Sequence, residues 1–190
     1  MNTQENAQVS TQERIAQASM ACLALNGFEK VTLNDIAKLA GVSRPTVYSY
    51  FKDSNEVLQY ALLQSAYRFS EEIILHLKKF NGVSERVLEA MLFCLKRLPD
   101  EPALALISSP EIAKLVNEYA LSSIEGNEIC KKIFSVIYQD HLISKQDLND
   151  VMEICIRFLL SLLTVKSAKK RSIKQQREFL KKHLLPMVNI

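Results

Sequence analysis

Between Thr32 and Phe51 the chain reads Thr-Leu-Asn-Asp-Ile-Ala-Lys-Leu-Ala-Gly-Val-Ser-Arg-Pro-Thr-Val-Tyr-Ser-Tyr-Phe. The polar residues in its second half have the types and spacing that grip nucleic acid. Ser43, Arg44 and Thr46 fall in one helical turn, where short hydrogen-bonding side chains at a helix start can approach base edges. Arg44 can meet both acceptors of a guanine or pair with a phosphate, and Thr46 offers a hydroxyl and a methyl group for thymine. Pro45 belongs to the same surface. Tyr48, Tyr50 and Lys52 suit phosphates, which fix register without reading sequence. The hydroxyl of Thr32, at the start of the preceding helix, is a further phosphate candidate, because a helix N-terminus favours anions.

Two short helices must hold these groups. Thr32 followed three positions later by Asp35 resembles a capping box, and Leu33, Ile36, Ala37 and Ala40 recur at helical spacing. Gly41 then stands where a helix end needs a residue tolerant of positive φ. Ser43 can cap the next helix, with Pro45 in its first turn, where a missing N–H costs little. Val47 and Phe51 are expected to turn inward. The unit is a helix-turn-helix, which lays its second helix in the DNA major groove. Upstream, Arg14 to Phe28 reads as a helix closed by Asn26-Gly27; downstream, Asp53-Ser54-Asn55-Glu56 is a second capping box opening a long helix through Val57, Leu58, Ala61 and Leu62.

With these flanks the chain resembles the TetR family of bacterial transcriptional regulators. The matching features are the alanine-rich first helix ending in Gly27-Phe28, then Thr32, Asp35-Ile36-Ala37 and Ala40-Gly41-Val42-Ser43. Thr46-Val47-Tyr48, Tyr50-Phe51 and the capped helix after Asp53 complete the series. The likeness covers about the first 60 residues. Two departures are Pro45, where glycine or alanine is frequent, and Tyr50, where histidine is common. The resemblance implies an all-α protein of about nine helices. Its parts would be a three-helix DNA-binding domain over residues 1–53 and a helical effector-binding and dimerisation domain over 54–190.

Composition fits this. The chain has 190 residues, 48% of them hydrophobic, with only four glycines and five prolines, which reads as a mostly helical protein with a substantial core. No apolar run reaches membrane-spanning length and the polar start is unlike a signal peptide, so a cytoplasmic location is expected, with no membrane partner. Charge is less obliging. Within residues 1–60 the cations Arg14, Lys30, Lys38, Arg44 and Lys52 are outnumbered by Glu5, Glu13, Glu29, Asp35, Asp53 and Glu56. A DNA-binding domain usually carries a basic footprint. Several of these acids stand at helix starts, however, away from the face carrying Arg44, Tyr48 and Lys52. A denser cationic cluster, Lys166, Lys169, Lys170, Arg171, Lys174, Arg177, Lys181 and Lys182, reads best as a solvated connection between two helices.

Catalysis finds no constellation to support it. Cys22, Cys94, Cys130 and Cys155 are scattered in apolar helical surroundings and read as buried, reduced thiols. His76, His141 and His183 lack metal-ligand spacing, so neither metal nor cofactor is expected. In the second half, helices are expected at about Ser84 to Leu98, Asn127 to Tyr138, Lys145 to Val165 and Ser172 to Val188. Breaks are expected near Pro99 to Pro102, Pro110 and Gly126.

By family resemblance this half binds a small, largely apolar effector and forms a homodimer through its last two helices. Met91, Phe93, Tyr119, Phe134, Tyr138 and Phe158 are pocket candidates, with Arg97 or Arg157 to meet an acidic group. Alternatively, Arg157 pairs with Glu153 or Asp150. Cys155, Leu159, Leu162, Phe179, Leu180 and Leu184 are the interface candidates. The implied function is a repressor released from operator DNA by its effector; the alternative is an effector-independent architectural or division-control DNA binder on the same fold.

Overall fold

The computed structural model describes residues 10–26, 31–101, 123–165 and 170–188. Among these residues all regular structure is helical, as expected: eight α-helices and two 3-10 turns. Two compact units form, the first ending at Gln64 and the second beginning at Ser65. No helix among the described residues is long and apolar enough to cross a membrane.

The first unit holds α1 (Thr11–Asn26), α2 (Leu33–Ala40), α3 (Arg44–Tyr50) and the opening turns of α4 (Ser54–Leu77). Helix α1 starts on a reciprocal cap: Glu13 N–H donates to the Ser10 hydroxyl at 3.1 Å, and Ser10 N–H donates to the Glu13 carboxylate at 2.9 Å. The buried side chains are those at helical spacing. Ile15, Ala18, Cys22 and Leu23 come from α1, Ile36, Ala37 and Ala40 from α2, and Val57, Leu58 and Ala61 from α4. Many are alanines, so the helices of this small unit can approach closely. The Ser19 hydroxyl, wholly buried, donates to the Ala16 carbonyl at 2.7 Å and leaves no unmet donor.

The second unit is built on α5 (Val83–Arg97), which packs against α6 (Ile124–Ile137), α7 (Lys145–Thr164) and α8 (Ile173–His183). The 3-10 turns Leu98–Asp100 and Leu185–Val188 follow α5 and α8, each at a proline. Gly126 does not break the chain, contrary to expectation. Ser123 caps α6 by accepting the Gly126 N–H at 2.9 Å, and a glycine in a capped first turn loses little of the helix. Pro110 lies outside the described residues. Phe69, Ile73 and Leu77 of α4 meet Val87, Leu88 and Met91 of α5, Phe134 and Ile137 of α6, Val151, Met152 and Cys155 of α7, and Leu180 and Leu184 of α8 in one core.

A buried arginine ties this core to its polar margin. Arg86 is 2% exposed; its Nε donates to the Phe80 carbonyl at 3.0 Å, Nη1 to the Ile137 carbonyl at 3.2 Å and Nη2 to the Asp140 carboxylate at 2.7 Å. Both carbonyls belong to chain just leaving a helix, where acceptors lack helical partners and a cation is favoured. Replacing it with Met would leave those acceptors and Asp140 without their donor. Arg86→Met is expected to lower unfolding stability by about 3 kcal/mol, read from denaturant midpoints.

Glu89 on α5 forms the second polar tie. It is hydrogen-bonded to His76 Nε2 of α4 at 2.9 Å and to Arg177 of α8, which also reaches Glu85. Burial pushes the Glu89 carboxyl up, but hydrogen bonds and charge from Arg177 and His76 outweigh it and hold the group below its ordinary value. A depressed folded-state pKa gives stability that is present above the unfolded value of about 4.3 and is lost as pH falls through the folded one. The deficit of Glu89→Gln relative to the native chain should therefore be full above about pH 5 and shrink steadily below it, in urea titrations at each pH.

Candidate nucleic-acid interface

Helix α2 begins at Thr32 in extended geometry (φ −112°, ψ 153°), whose hydroxyl oxygen accepts the Asp35 N–H at 3.3 Å. The hydroxyl proton goes to the Asp35 carboxylate at 2.6 Å. The cap is thus not the reciprocal box its sequence suggests, and the Thr32 proton proposed for a phosphate is already engaged beside an anion. The other end closes more tightly. Gly41 lies in the left-handed region (φ 64°, ψ 39°); its N–H donates to the Lys38 carbonyl at 3.3 Å and the Val42 N–H to Ala37 at 3.1 Å. This is the double bond pattern of a Schellman end. Arg14 Nη2 reaches across from α1 and donates to the Ala40 carbonyl at 2.7 Å, taking up another terminal acceptor.

Two residues later Ser43, extended at φ −74° and ψ 154°, caps α3 by accepting the Thr46 N–H at 3.2 Å. The Ser43 and Thr46 hydroxyls lie 2.7 Å apart and share a hydrogen bond. Pro45 fits within the first turn, as expected. Val47 is wholly buried and Phe51 is 3% exposed, with the Phe51 ring edge-on to Tyr60 at 5.5 Å. These two anchors turn the rest of the helix outward. Tyr48 is 53% and Tyr50 45% exposed; Ser43, Arg44, Pro45 and Lys52 are exposed and Thr46 is half-buried. The predicted contact residues from Ser43 to Lys52 therefore gather along one short helix and its exit.

Among the described residues, three of the acids that outnumber the cations accept hydrogen bonds at helix starts. Asp35 accepts from Thr32, Asp53 accepts the Glu56 N–H at 2.9 Å, and Glu56 accepts the Lys52 N–H at 2.6 Å. The cap of α4 thus reaches back one residue beyond the expected box. Among the described residues Lys38, Arg44 and Lys52 enter no ion pair. Negative charge here serves helix starts, while the cations of α3 and its exit remain available to an anionic partner.

The pocket candidates of the second unit do not form one site. Met91 and Phe134 line an apolar cavity of about 110 Å³, together with Cys94, Cys130, Cys155 and Leu159. Phe93 packs elsewhere, against Phe69 at 5.7 Å and His76 at 4.8 Å. Tyr138 borders an open cleft of about 740 Å³ that also holds His141, Asp147 and Asp150. Arg97 pairs with Glu72 and Glu101, and Arg157 is exposed and donates to Glu153 at 2.7 Å, one of the two acids foreseen for it. Phe158 stacks with Phe179 at 6.1 Å, joining α7 to α8. Tyr119 lies outside the described residues.

Three interface candidates need correction. Cys155 is 4% exposed, and Leu180 and Leu184 are wholly buried, so they have no surface to offer a second copy. Helical spacing marks an apolar face without saying what covers it, and here α5 does. Leu159, Leu162 and Phe179 keep partial exposure. The basic cluster also divides. Arg177 is bound to Glu85 and Glu89, and Arg171 lies 4.0 Å over the Phe179 ring, whereas Lys170, Lys174, Lys181 and Lys182 are exposed and Lys166 and Lys169 lie outside the described residues. Sequence reading missed Arg14 and Arg86, whose only signal is a cation set among apolar helix positions.

Two helices at a fixed turn, the second presenting hydroxyls, tyrosines and cations on an apolar anchor, define a helix-turn-helix of the kind that docks in DNA. Residues 15–61 match the family described as "Bacterial regulatory proteins, tetR family". An HTH-type transcriptional regulator of Mycobacterium tuberculosis is 40% identical over 58 residues, which are 30% of this chain and 31% of that protein. The chain thus spans about a third of the length of such curated relatives where it matches them. Solved structures extend the likeness in fold. The fatty acid degradation regulator FadR from Bacillus halodurans has a TM-score of 0.66 at 19% identity, covering 95% of this chain and 97% of that one. FadR from Bacillus subtilis in complex with stearoyl-CoA has a TM-score of 0.61 at 19% identity, covering 92% and 96%. Over residues 15–61 the chain is thus similar to the TetR family of bacterial regulatory proteins, and its fold is like that of these solved regulators.

The turn geometry gives a stability test. A Cβ at Gly41 would stand 3.5 Å from Arg14 Nη2, an ordinary contact, so the penalty for Gly41→Ala is conformational. It should cost about 1–2 kcal/mol, whereas Gly41→Asn should cost less because asparagine tolerates the left-handed region. Chemical denaturation of the two variants beside the native protein checks the order.

Proposed function

We propose that this protein is a homodimeric, ligand-responsive transcriptional regulator that represses from an operator and is released by a small, largely apolar effector. One observation carries the DNA-binding part. Val47 and Phe51 are buried while Ser43, Arg44, Tyr48, Tyr50 and Lys52 face outward along the same short helix. In this reading Arg44 and Thr46 approach bases, with Thr46 exchanging its bond to Ser43 for one to DNA. Tyr48, Tyr50 and Lys52 hold phosphates. Thr32 joins them only if its hydroxyl leaves Asp35. Because the surface carries few cations, binding relies on placed groups, and the salt dependence per protomer is modest.

A two-fold dimer would present one such helix to each half-site. Partly exposed Leu159, Leu162 and Phe179 on α7 and α8 support that role for the end of the chain. The stearoyl-CoA bound by the Bacillus subtilis FadR supports an effector with an apolar portion, acting by favouring a state of lower DNA affinity. Such a regulator works in the cytoplasm.

Operator sequences selected from a random DNA pool provide the test. Arg44→Ala should weaken binding to the selected site by roughly 10- to 100-fold and relax preference at one base position. Lys52→Ala should weaken all sequences alike and reduce the salt slope by about one per protomer. Fluorescence anisotropy on folded variants reads both. Unchanged affinity in Arg44→Ala would remove α3 from the interface.

A further inference from the structure

Arg14 stands outside the predicted contact surface, yet the fold carries its side chain to the turn that starts α3. From the first turn of α1, its Nη2 donates to the Ala40 carbonyl at 2.7 Å. Ser43, the cap of α3, follows Ala40 by three residues, a length of chain that spans at most about 10 Å. The guanidinium is therefore held beside the start of the helix that would enter DNA. The Ala40 carbonyl occupies only one of the N–H donors that a guanidinium carries. Arg14 is exposed and, among the described residues, enters no ion pair. A cation is favoured at the C-terminus of α2, so the group is in place before any partner arrives. It has already lost part of the freedom that an anion would otherwise remove on binding.

We propose that Arg14 grips a DNA phosphate at the edge of the groove that α3 occupies, while it holds the turn. This role rests on the DNA-binding reading above and adds to it a residue from α1. The major groove is about 12 Å wide, and an α-helix with its side chains is about 10–12 Å across. With α3 in the groove little room is left beside it, so a group held off its start meets the phosphate rim. Arginine suits both tasks at once. Its planar fork has separate edges, so one can serve a carbonyl while another meets a phosphate. The contact supplies charge and register and reads no base. It also eases the shortage of cations in the first unit, because the fold brings in one from outside the helix-turn-helix.

The full-length protein is tested against its selected operator and a scrambled duplex across a salt series. Arg14→Gln removes the charge but keeps an amide N–H for the Ala40 carbonyl. It should weaken both duplexes alike, by roughly tenfold per protomer, and leave base preference unchanged. The slope of log affinity against log salt should fall by about one per protomer, whereas Arg14→Lys should keep most of it. A folded Arg14→Gln with the native slope would overturn the role, because a tie that only supports the turn releases no counterions. Methylphosphonates placed singly along the operator give a second reading that does not need Arg14→Gln to fold. At one phosphate in each half-site the neutral group should weaken the native chain at least threefold more than Arg14→Lys, whose single ammonium lacks the fork. Equal losses at every phosphate would count against Arg14 just as firmly. Arg44→Ala keeps the two readings apart. Weakened operator binding in that variant, beside an unmoved slope in Arg14→Gln, leaves α3 on DNA and removes Arg14 from it.

Discussion

The closure of α2 is the constraint on which the proposed interface depends. Three consecutive features act on a few atoms: the left-handed Gly41, the paired N–H groups of Gly41 and Val42 on the preceding carbonyls, and the Arg14 guanidinium on the Ala40 carbonyl. Each removes a freedom. The glycine sets the direction in which the chain leaves, the two backbone bonds fix where α2 stops, and Arg14 ties that stop to α1. Only then does Ser43 start α3 at a defined place, and only then do Val47 and Phe51 find the apolar surface beneath them. A helix of seven residues is too short to be stable by propensity, so its form comes from cap, anchor and turn together.

The second unit solves a comparable problem with charge. Its helices end near the core, where bare carbonyl groups would otherwise be desolvated. Arg86 serves Phe80, Ile137 and Asp140 from a single buried position. A hydrophobic residue there would fill the space but leave the acceptors unmet, and the loss of water around them would favour opening. Glu89 works in the reverse sense, an acid bonded to His76 of α4 and Arg177 of α8. Because α5 supplies both residues, this helix is joined to its neighbours by polar bonds as well as by apolar packing. The partition also explains the basic stretch near the end of the chain: Arg171 and Arg177 are structural, and its exposed lysines are a separate population.

How legible these features were depends on whether their cause is local. Caps at Thr32 and Ser43, the turn at Gly41 and the inward Val47 and Phe51 follow from neighbouring residues, and they could be read without tertiary knowledge. Gly126 misled because a glycine signals a break only when no upstream cap holds the turn, and Ser123 holds it. The interface candidates misled for another reason. Leu180 and Leu184 have the spacing of an apolar face, but spacing is identical whether the covering surface is α5 or a second molecule. Arg14 and Arg86 were invisible because their partners lie 26, 51 and 54 residues away.

The cysteines show how position can change the meaning of composition. Scattered along the sequence, they suggest only small buried residues, and Cys22 keeps that meaning inside the first unit. The other three come from different helices yet border one space, which no spacing rule would reveal. Their chemistry is suppressed by the same burial that brings them together: a thiol held well above neutral pH is a weak nucleophile and a poor ligand. Apolar shape and size are what the cavity retains.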